Sequence, residues 1–147
     1  MANGKTYGVT FPFRDSFDGK YLDLSDFEDE EIRNSLIHLL LTRKGSRYFM
    51  PDFGTRLYEF IFEPLDGPTF NQIEAEIRDS VRIYIPNLQI NKISVYPATD
   101  DEIGGVNETK TFEMPGRSSV EYTAKVKIDY TITSNVFNSS DFIIINL

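Results

Sequence analysis

The chain contains no cysteine and no tryptophan, and it has a single histidine, His38. Without cysteine it can form no disulfide, no thiolate metal site and no cysteine nucleophile. One histidine falls short of the three or four ligands that protein metal centres use. We therefore expect no metal and no cofactor.

Long apolar runs and excess positive charge are also missing. The longest apolar run, residues 142–145, is far too short to span a bilayer, and the start MANGKTYG lacks the apolar region of a signal peptide. Lysine and arginine number 15 against 23 acids, which gives a net charge of −8. We therefore expect neither nucleic acid nor a membrane as a partner.

What is present indicates one folded domain over residues 1–147. Hydrophobic residues make up 40% of the chain, with 12 Phe and 8 Tyr. Charge is uneven, because residues 15–31 are strongly acidic whereas residues 43–56 hold four bases against Asp52. This asymmetry either orients the protein against a charged partner or reflects two solvated faces.

The N-terminal part, residues 25–86, reads as helical after an extended arm over residues 1–24. A first helix begins at Ser25, with Glu28 completing a capping box, and ends at Gly45. A short second helix over residues 55–62 is stopped by Pro64. A third helix covers about residues 69–84 and ends before Pro86.

The C-terminal part, residues 87–147, reads as strands. Residues 88–95 show a phase slip at Asn91 and Lys92 that predicts a bulge, residues 120–133 alternate strictly, and residues 142–147 form a last apolar strand. The order predicts an α+β domain: about three N-terminal helices packed on a small, mainly antiparallel C-terminal sheet, with an extended N-terminal arm.

Three carboxylates near the second helix are the best candidates for catalysis. Glu59 and Glu63 share a helix face, and Asp66 follows in the next turn. Nothing in the pattern sets a protonated acid against an ionised one, as a glycosidase requires. Solvated carboxylates near a helix end are the favoured interpretation.

A basic and aromatic segment over residues 43–62 is the best candidate for binding. Its bases are Arg43, Lys44, Arg47 and Arg56, and its aromatics include Tyr48, Phe49, Phe53, Tyr58 and Phe62. Arginine and aromatic residues are enriched at the centres of protein interfaces. Some residues of this segment must instead fill the core, so we expect Phe53, Leu57 and Ile61 to point inward and Arg47 and Arg56 to point outward or to bridge.

The last strand is a second candidate for binding, through Phe142, Ile143, Ile144 and Ile145. An apolar strand at an open sheet edge pairs with whatever chain approaches it. Pairing with a neighbouring chain and pairing with residues 120–133 are equally compatible with the pattern.

Three linked motifs carry a family resemblance. They read Leu40-Leu41-Thr42-x-x-Gly45-x-Arg47, then Pro51-x-Phe53-Gly54-x-x-Leu57, then Ile61-Phe62-Glu63-Pro64. Together they closely resemble the baseplate wedge, or sheath-initiator, family of contractile tails, which includes a myophage wedge subunit and a type VI secretion baseplate component. The resemblance extends over residues 8–147, but only residues 36–64 are specific.

The resemblance implies a structural subunit and not an enzyme, although some members carry a lysozyme-like label. It implies a place in the tail baseplate of a virion assembled in the host cytoplasm, with six copies per baseplate and no direct homo-oligomer. The helical face would bind larger wedge proteins and their helical core bundle, through Arg43, Arg47, Phe53, Arg56, Glu63 and Pro86. The C-terminal strands would pair with the tail sheath protein and initiate its polymerisation.

One motif of this chain departs from the family pattern. Members often have Glu-Pro-Arg after the third helix, where this chain has Ile85-Pro86-Asn87, so both charges of that contact are absent.

The alternative function is a tail-associated peptidoglycan hydrolase that uses Glu59, Glu63 or Asp66.

Overall fold

A computed structural model describes residues 8–17, 19–64, 66–97, 111–113, 124–133 and 139–147. The elements in chain order are β1 (Gly8–Val9), β2 (Leu24–Ser25), α1 (Glu28–Leu41), a 3₁₀ helix (Leu57–Phe62), α2 (Gly67–Tyr84), β3 (Leu88–Pro97), β4 (Thr111–Glu113), β5 (Ala124–Ile132) and β6 (Ser139–Asn146). Within these ranges, neither α-helix has the length and apolar character needed to cross a membrane.

The predicted three helices on one sheet are wrong. The described residues form two α-helices and two sheets, because the second predicted helix is a 3₁₀ helix and the N-terminal arm pairs β1 with β2. Thr55 forms a bridge with Arg43, so helical geometry begins only at Leu57, and Pro64 follows the segment. The segment Leu57–Phe62 is a 3₁₀ helix of six residues, longer than the roughly three or four that are usual for this geometry.

The predicted capping box at α1 is also wrong. The N-cap is Phe27, and it makes no side-chain capping bond. Ser25 lies in β2 opposite Gly8, and its hydroxyl donates to the Phe27 carbonyl at 2.8 Å instead. The acidic first turn from Glu28 to Glu31 still complements the positive end of the helix dipole.

Helix α2 begins and ends as its sequence dictates. Asp66 caps it, since its Oδ1 accepts from the Thr69 amide at 3.1 Å and from the Thr69 hydroxyl at 3.0 Å. The helix ends at Tyr84, two residues before Pro86. Arg78 donates to the Ile90 carbonyl at 3.3 Å and so ties α2 to β3.

The larger sheet has the strand order β3-β5-β6-β4. β5 pairs antiparallel with both neighbours, whereas β4 pairs in parallel with β6. The register shifts between Ile90 and Lys92, which confirms the predicted bulge. Residues 124–132 alternate between buried and half-buried as predicted, and residues 120–123 of the predicted strand lie outside the described residues.

One core joins α1, α2 and the inner face of the larger sheet. Leu36 and Leu40 of α1 meet Ile73 and Ile77 of α2 in one buried cluster. The cluster also contains Val126, Ile128, Tyr130, Ile143, Ile145 and Leu147 from the sheet. The last strand therefore pairs within the chain, and its inward side chains are core residues.

Candidate docking site

The segment over residues 42–56, the docking loop, leaves the end of α1 and returns to it. The Thr55 amide donates to the Thr42 carbonyl at 2.9 Å, and the Lys44 amide donates to the Thr55 carbonyl at 3.0 Å. The buried Thr55 hydroxyl donates to the Leu40 carbonyl at 3.0 Å. Both ends of the loop are thus fixed to the last turn of α1.

Two glycines of the family motif shape this loop. Gly54 has φ of +115°, and a Cβ at this position would collide with the Thr42 carbonyl oxygen. Gly45 has φ of +87°, and its amide donates to the Pro51 carbonyl at 2.7 Å. Both positions need the left-handed backbone that glycine adopts at little cost.

Arg47 and Phe53 are brought together on the inner side of the loop. The Arg47 guanidinium carbon lies 4.0 Å from the Phe53 ring centroid, which is a cation–π contact. Phe53 in turn meets Tyr84 of α2 edge to face, with ring centroids 5.0 Å apart. Arg47 Nη2 lies 3.1 Å from His38 Nε2. Arg47 and half-buried Phe53 therefore hold the loop against the helices.

His38 has a lowered pKa at this place. The main cause is burial of the ring, and the positive charge of Arg47 adds to it. The imidazole is therefore uncharged at neutral pH, and it serves as a packing partner of Arg47.

The other predicted arginines lie on either side of this packing. The Arg43 guanidinium lies over the Tyr58 ring at 5.0 Å from its centroid. Arg56 is exposed, and its backbone amide donates to Glu76 Oε1 at 3.2 Å. It lines a shallow groove of about 380 Å³ together with Glu59, Phe60, Glu63, Gln72, Ala75, Glu76 and Asp79. Carboxylates thus surround Arg56 on this surface.

The tip of the docking loop projects two aromatic rings into solvent. Tyr48 is 94% exposed and Phe49 is 92% exposed, with their rings in edge contact at 5.3 Å. Met50 beside them is 48% exposed. The sequence placed these residues in a basic and aromatic segment and predicted an inward Phe53, but it did not assign Tyr48 or Phe49 to either side. Their position midway between Gly45 and Pro51, at the apex of a turn, was the available signal.

Glu63 and Pro86 are both exposed but lie outside the loop. Pro86 lines a separate groove of about 520 Å³ between the end of α2 and β3, with Arg82, Leu88 and Ile90 among its walls. Tyr84 connects Pro86 to the docking loop, because it contacts Phe53 of the loop and precedes Pro86 by two residues.

The predicted strand-addition residues fall on two faces of β6. Ile143 and Ile145 are fully buried, and Ile144 is 3% exposed. Phe142 is half-buried, with the Lys127 ammonium 4.8 Å from its ring centroid. Among the described residues, β4 pairs in parallel with residues 144–146 of β6, on the side of β6 away from β5.

Comparison with known proteins decides the family. A sequence profile described as baseplate wedge protein gp25 matches residues 27–135, which is most of the chain and includes the whole docking loop. The chain belongs to this baseplate wedge family. The resemblance seen in the motifs and the predicted location in the tail baseplate of a virion are thereby confirmed.

The baseplate wedge protein gp25 of Enterobacteria phage T4 is one relative. It is 40% identical over 70 residues, which are 48% of this chain and 53% of the phage protein. The match thus spans about half the length of that relative.

Two solved structures share the fold of this wedge family member. One is a protein provisionally described as a tail lysozyme, from Geobacter sulfurreducens, with a TM-score of 0.58, 20% identity, and coverage of 82% of this chain and 92% of that one. The other belongs to the baseplate of the anti-feeding prophage, with a TM-score of 0.56, 18% identity, and coverage of 93% of this chain and 82% of that one. At these identities the likeness establishes the fold alone.

The three carboxylates of the hydrolase alternative lie in two places. Asp66 is engaged as the cap of α2, whereas exposed Glu59 and Glu63 lie in the groove beside Arg56. No group of three or more acids or histidines suited to a metal ion occurs among the described residues.

Proposed function

We propose that this wedge protein is a non-catalytic subunit that docks on larger baseplate proteins through its docking loop. The observation that carries the proposal is the pair Tyr48 and Phe49, each more than nine-tenths exposed at the tip of that loop. Exposed large aromatics on a structured surface mark interaction sites, and aromatic and arginine residues dominate the binding free energy of interfaces.

The rigidity of the docking loop supports this role. Its ends are hydrogen-bonded to α1, and Phe53 fixes its inner side between Arg47 and Tyr84. A loop that is ordered before binding loses less conformational entropy when it binds. The two rings are thus presented in advance to a partner.

The proposed partners are the larger wedge proteins and their helical core bundle, with six copies of this chain per baseplate. Arg43 and Arg56 lie at the two ends of the docking loop, and Glu63 and Pro86 are exposed outside it. In this proposal they form the polar rim around the aromatic tip, whereas Arg47 and Phe53 support the loop from below.

We further propose that β6 initiates sheath polymerisation by strand addition. Among the described residues, β4 pairs with β6 over residues 144–146, on the side of β6 away from β5. A sheath strand that adds on this side gains main-chain hydrogen bonds. In this proposal Phe142 and Ile143 pair with the sheath strand, whereas Ile144 and Ile145 are already paired with β4.

The docking proposal is tested with the double variant Tyr48→Ser and Phe49→Ser. Both side chains are exposed, so we expect the free energy of unfolding to change by less than about 1 kcal/mol. Co-purification with co-expressed wedge proteins should be lost, because hot-spot truncations cost about 2 kcal/mol or more each.

Phe27→Ser is the matched control, since Phe27 is 71% exposed at the opposite end of α1. It should leave co-purification unchanged. Co-purification of the double variant with wedge proteins at the level of this control would contradict the docking proposal.

A further inference from the structure

The N-terminal arm forms a loop over residues 10–23, the arm loop, which comes before α1 in the chain, whereas the docking loop follows α1. Strands β1 and β2 close its base, and there the Thr10 amide donates to the Asp23 carbonyl at 3.2 Å. Inside the loop the Asp23 amide donates to the Arg14 carbonyl at 2.9 Å. The base of the arm loop is thus held by hydrogen bonds.

Three aromatic side chains of the arm loop are exposed to solvent. Phe13 is 62% exposed, and Phe17 and Tyr21 are almost fully exposed. The Phe11 ring meets Phe13 edge to face, with ring centroids 6.0 Å apart. Several large aromatics on one short loop differ from the single apolar residues that ordinary surfaces carry, and they mark an interaction surface.

Negative charge surrounds these rings. Residues 15–31 hold eight acids against one lysine. The acids in the first turn of α1 complement the helix dipole, but Asp15 and Asp23 precede the helix and lie beyond the reach of that effect. Guanidinium groups pair with carboxylates and also stack on aromatic faces. Exposed rings among acids therefore match a partner segment that contains arginine.

A cavity of about 220 Å³ between the arm loop and α1 can hold one side chain of such a segment. At ~30 Å³ per water molecule it has room for about seven waters. Phe11 and Phe13 line it from the arm, and Glu31 and His38 line it from α1. Glu31 is the charged residue of this wall at neutral pH, because burial keeps the pKa of His38 below its ordinary value.

We propose that the arm loop binds a basic segment of another protein of the baseplate wedge, with one arginine side chain of that segment in the cavity. The guanidinium stacks on Phe13 and pairs with the Glu31 carboxylate, which the Ser35 hydroxyl positions by donating to Oε1 at 2.9 Å. Phe17 and Tyr21 cover the neighbouring part of the segment. The arm loop lies outside residues 27–135, which match the family profile, so this contact is separate from the docking loop.

A second copy of this chain is a poorer partner. Its docking loop is the segment of matching charge, but Arg43 lies over Tyr58 and Arg47 lies over Phe53 in the same chain. These guanidinium groups would have to leave their own rings to stack on the arm loop of another copy. A different protein is therefore the proposed partner.

The charge contact is tested with Glu31→Gln. Glutamine keeps the shape and can still accept from the Ser35 hydroxyl, but it carries no charge to pair with arginine. Binding to the wedge complex assembled from the other, co-expressed wedge proteins should fall by roughly tenfold. Glu30→Gln is the matched control, since it removes the same charge from an exposed position in the same helical turn, outside the cavity. It should change the affinity by no more than about twofold.

The aromatic contact is tested with the double variant Phe17→Ser and Tyr21→Ser. Both side chains are exposed, so its melting temperature should equal that of the wild type, and its binding to the wedge complex should fall by roughly tenfold or more. Phe27→Ser, outside the arm loop, should bind normally. Wild-type binding of the double variant overturns the proposal, and so do equal losses for Glu31→Gln and Glu30→Gln. If Glu31→Gln fails to fold, the aromatic double variant decides alone.

Photo-crosslinking identifies the partner directly, with p-benzoylphenylalanine in place of Phe17 in assembled baseplates. Mass spectrometry should find the cross-link on an arginine-containing segment of another wedge protein. A cross-link to a second copy of this chain, or to a segment without arginine, overturns the proposal. The double variant Tyr48→Ser and Phe49→Ser is measured in parallel. If it alone loses binding, this inference fails and the docking proposal stands; if the arm variants alone lose binding, the reverse holds.

Discussion

Gly54 shows at the residue scale how the docking loop depends on one backbone position. Its φ is +115°, and a Cβ would meet the carbonyl oxygen of Thr42. A non-glycine residue with left-handed backbone costs about 1–2 kcal/mol, and the collision adds to this. We expect Gly54→Ala to lower the free energy of unfolding by at least about 2 kcal/mol in a denaturant titration.

Two other glycines supply the controls for this prediction. Gly45 has φ of +87° but open space within 4 Å, so Gly45→Ala should cost only about 1 kcal/mol. Gly67 opens α2 without a positive φ and with nothing near its Cβ, so Gly67→Ala should be neutral or slightly stabilising. Equal losses of unfolding free energy for Gly54→Ala and Gly45→Ala would show that the close approach of Gly54 to Thr42 is unimportant.

His38 reports on the packing beneath the loop. It is the only histidine, so its ring protons give one set of NMR signals to follow against pH. We expect a pKa below the ordinary value of 6.5, because burial and, secondarily, Arg47 disfavour the imidazolium. Arg47→Met should raise this pKa only in part, since burial is the larger cause. Full return to 6.5 would contradict that order of causes.

The same shift makes stability depend on pH. The pKa of His38 is lower in the folded protein than in the unfolded chain. At pH values between these two pKa values, the unfolded state therefore binds more protons than the folded state. The contribution of His38 is therefore complete above about pH 6.5 and is lost as the pH falls towards the folded pKa. His38→Gln should remove this part of the pH dependence in denaturant titrations.

At the scale of elements, β6 combines a core role with the proposed pairing role. Ile143, Ile145 and Leu147 are at most 1% exposed, and losing one such side chain costs about 2–5 kcal/mol. Deletion of residues 141–147 would remove all three side chains. The summed loss of unfolding free energy is comparable with the ~5–15 kcal/mol that stabilises a typical domain. Truncation would therefore unfold the protein and cannot isolate the role of β6.

Amide hydrogen exchange tests β6 without disturbing the core. The exchange of the amides of residues 139–143 is first measured in the isolated protein. They should become protected when sheath protein is added to assembled wedges. Residues 124–132 of β5 are the control, since strands on both sides already pair with them. Unchanged exchange at residues 139–143 would rule out strand addition at this edge.

The sequence predicted the elements with strong periodicity and missed those that tertiary contacts decide. Helix α2 and the alternation of β5 were correct, because capping chemistry and period two act locally. The second helix was wrong, since the bridge between Arg43 and Thr55 links positions twelve residues apart. The capping box failed for a similar reason, because Ser25 pairs with distant Gly8.

The candidate site was predicted only in part for the same physical reason. The arginines and glycines of the loop were found from composition and turn signals. The contrast between half-buried Phe53 and exposed Tyr48 and Phe49 depends on the packing of Phe53 against Tyr84, 31 residues later in the chain. No local pattern encodes such a contact.

At the scale of the whole molecule, α1 separates two unlike surfaces. The acidic and aromatic arm lies at its start and the basic docking loop at its end. With 14 residues the helix spans about 21 Å at 1.5 Å per residue. A partner that contacts both ends is oriented by opposite charges, which favours one binding geometry over the reversed one.

The most direct test of the docking proposal is a structure of the assembled baseplate that contains this wedge protein. The account predicts that Tyr48 and Phe49 are buried against a larger wedge protein, with Arg43 and Arg56 at the rim of that contact. Tyr48 and Phe49 still exposed to solvent in the complete baseplate would contradict it.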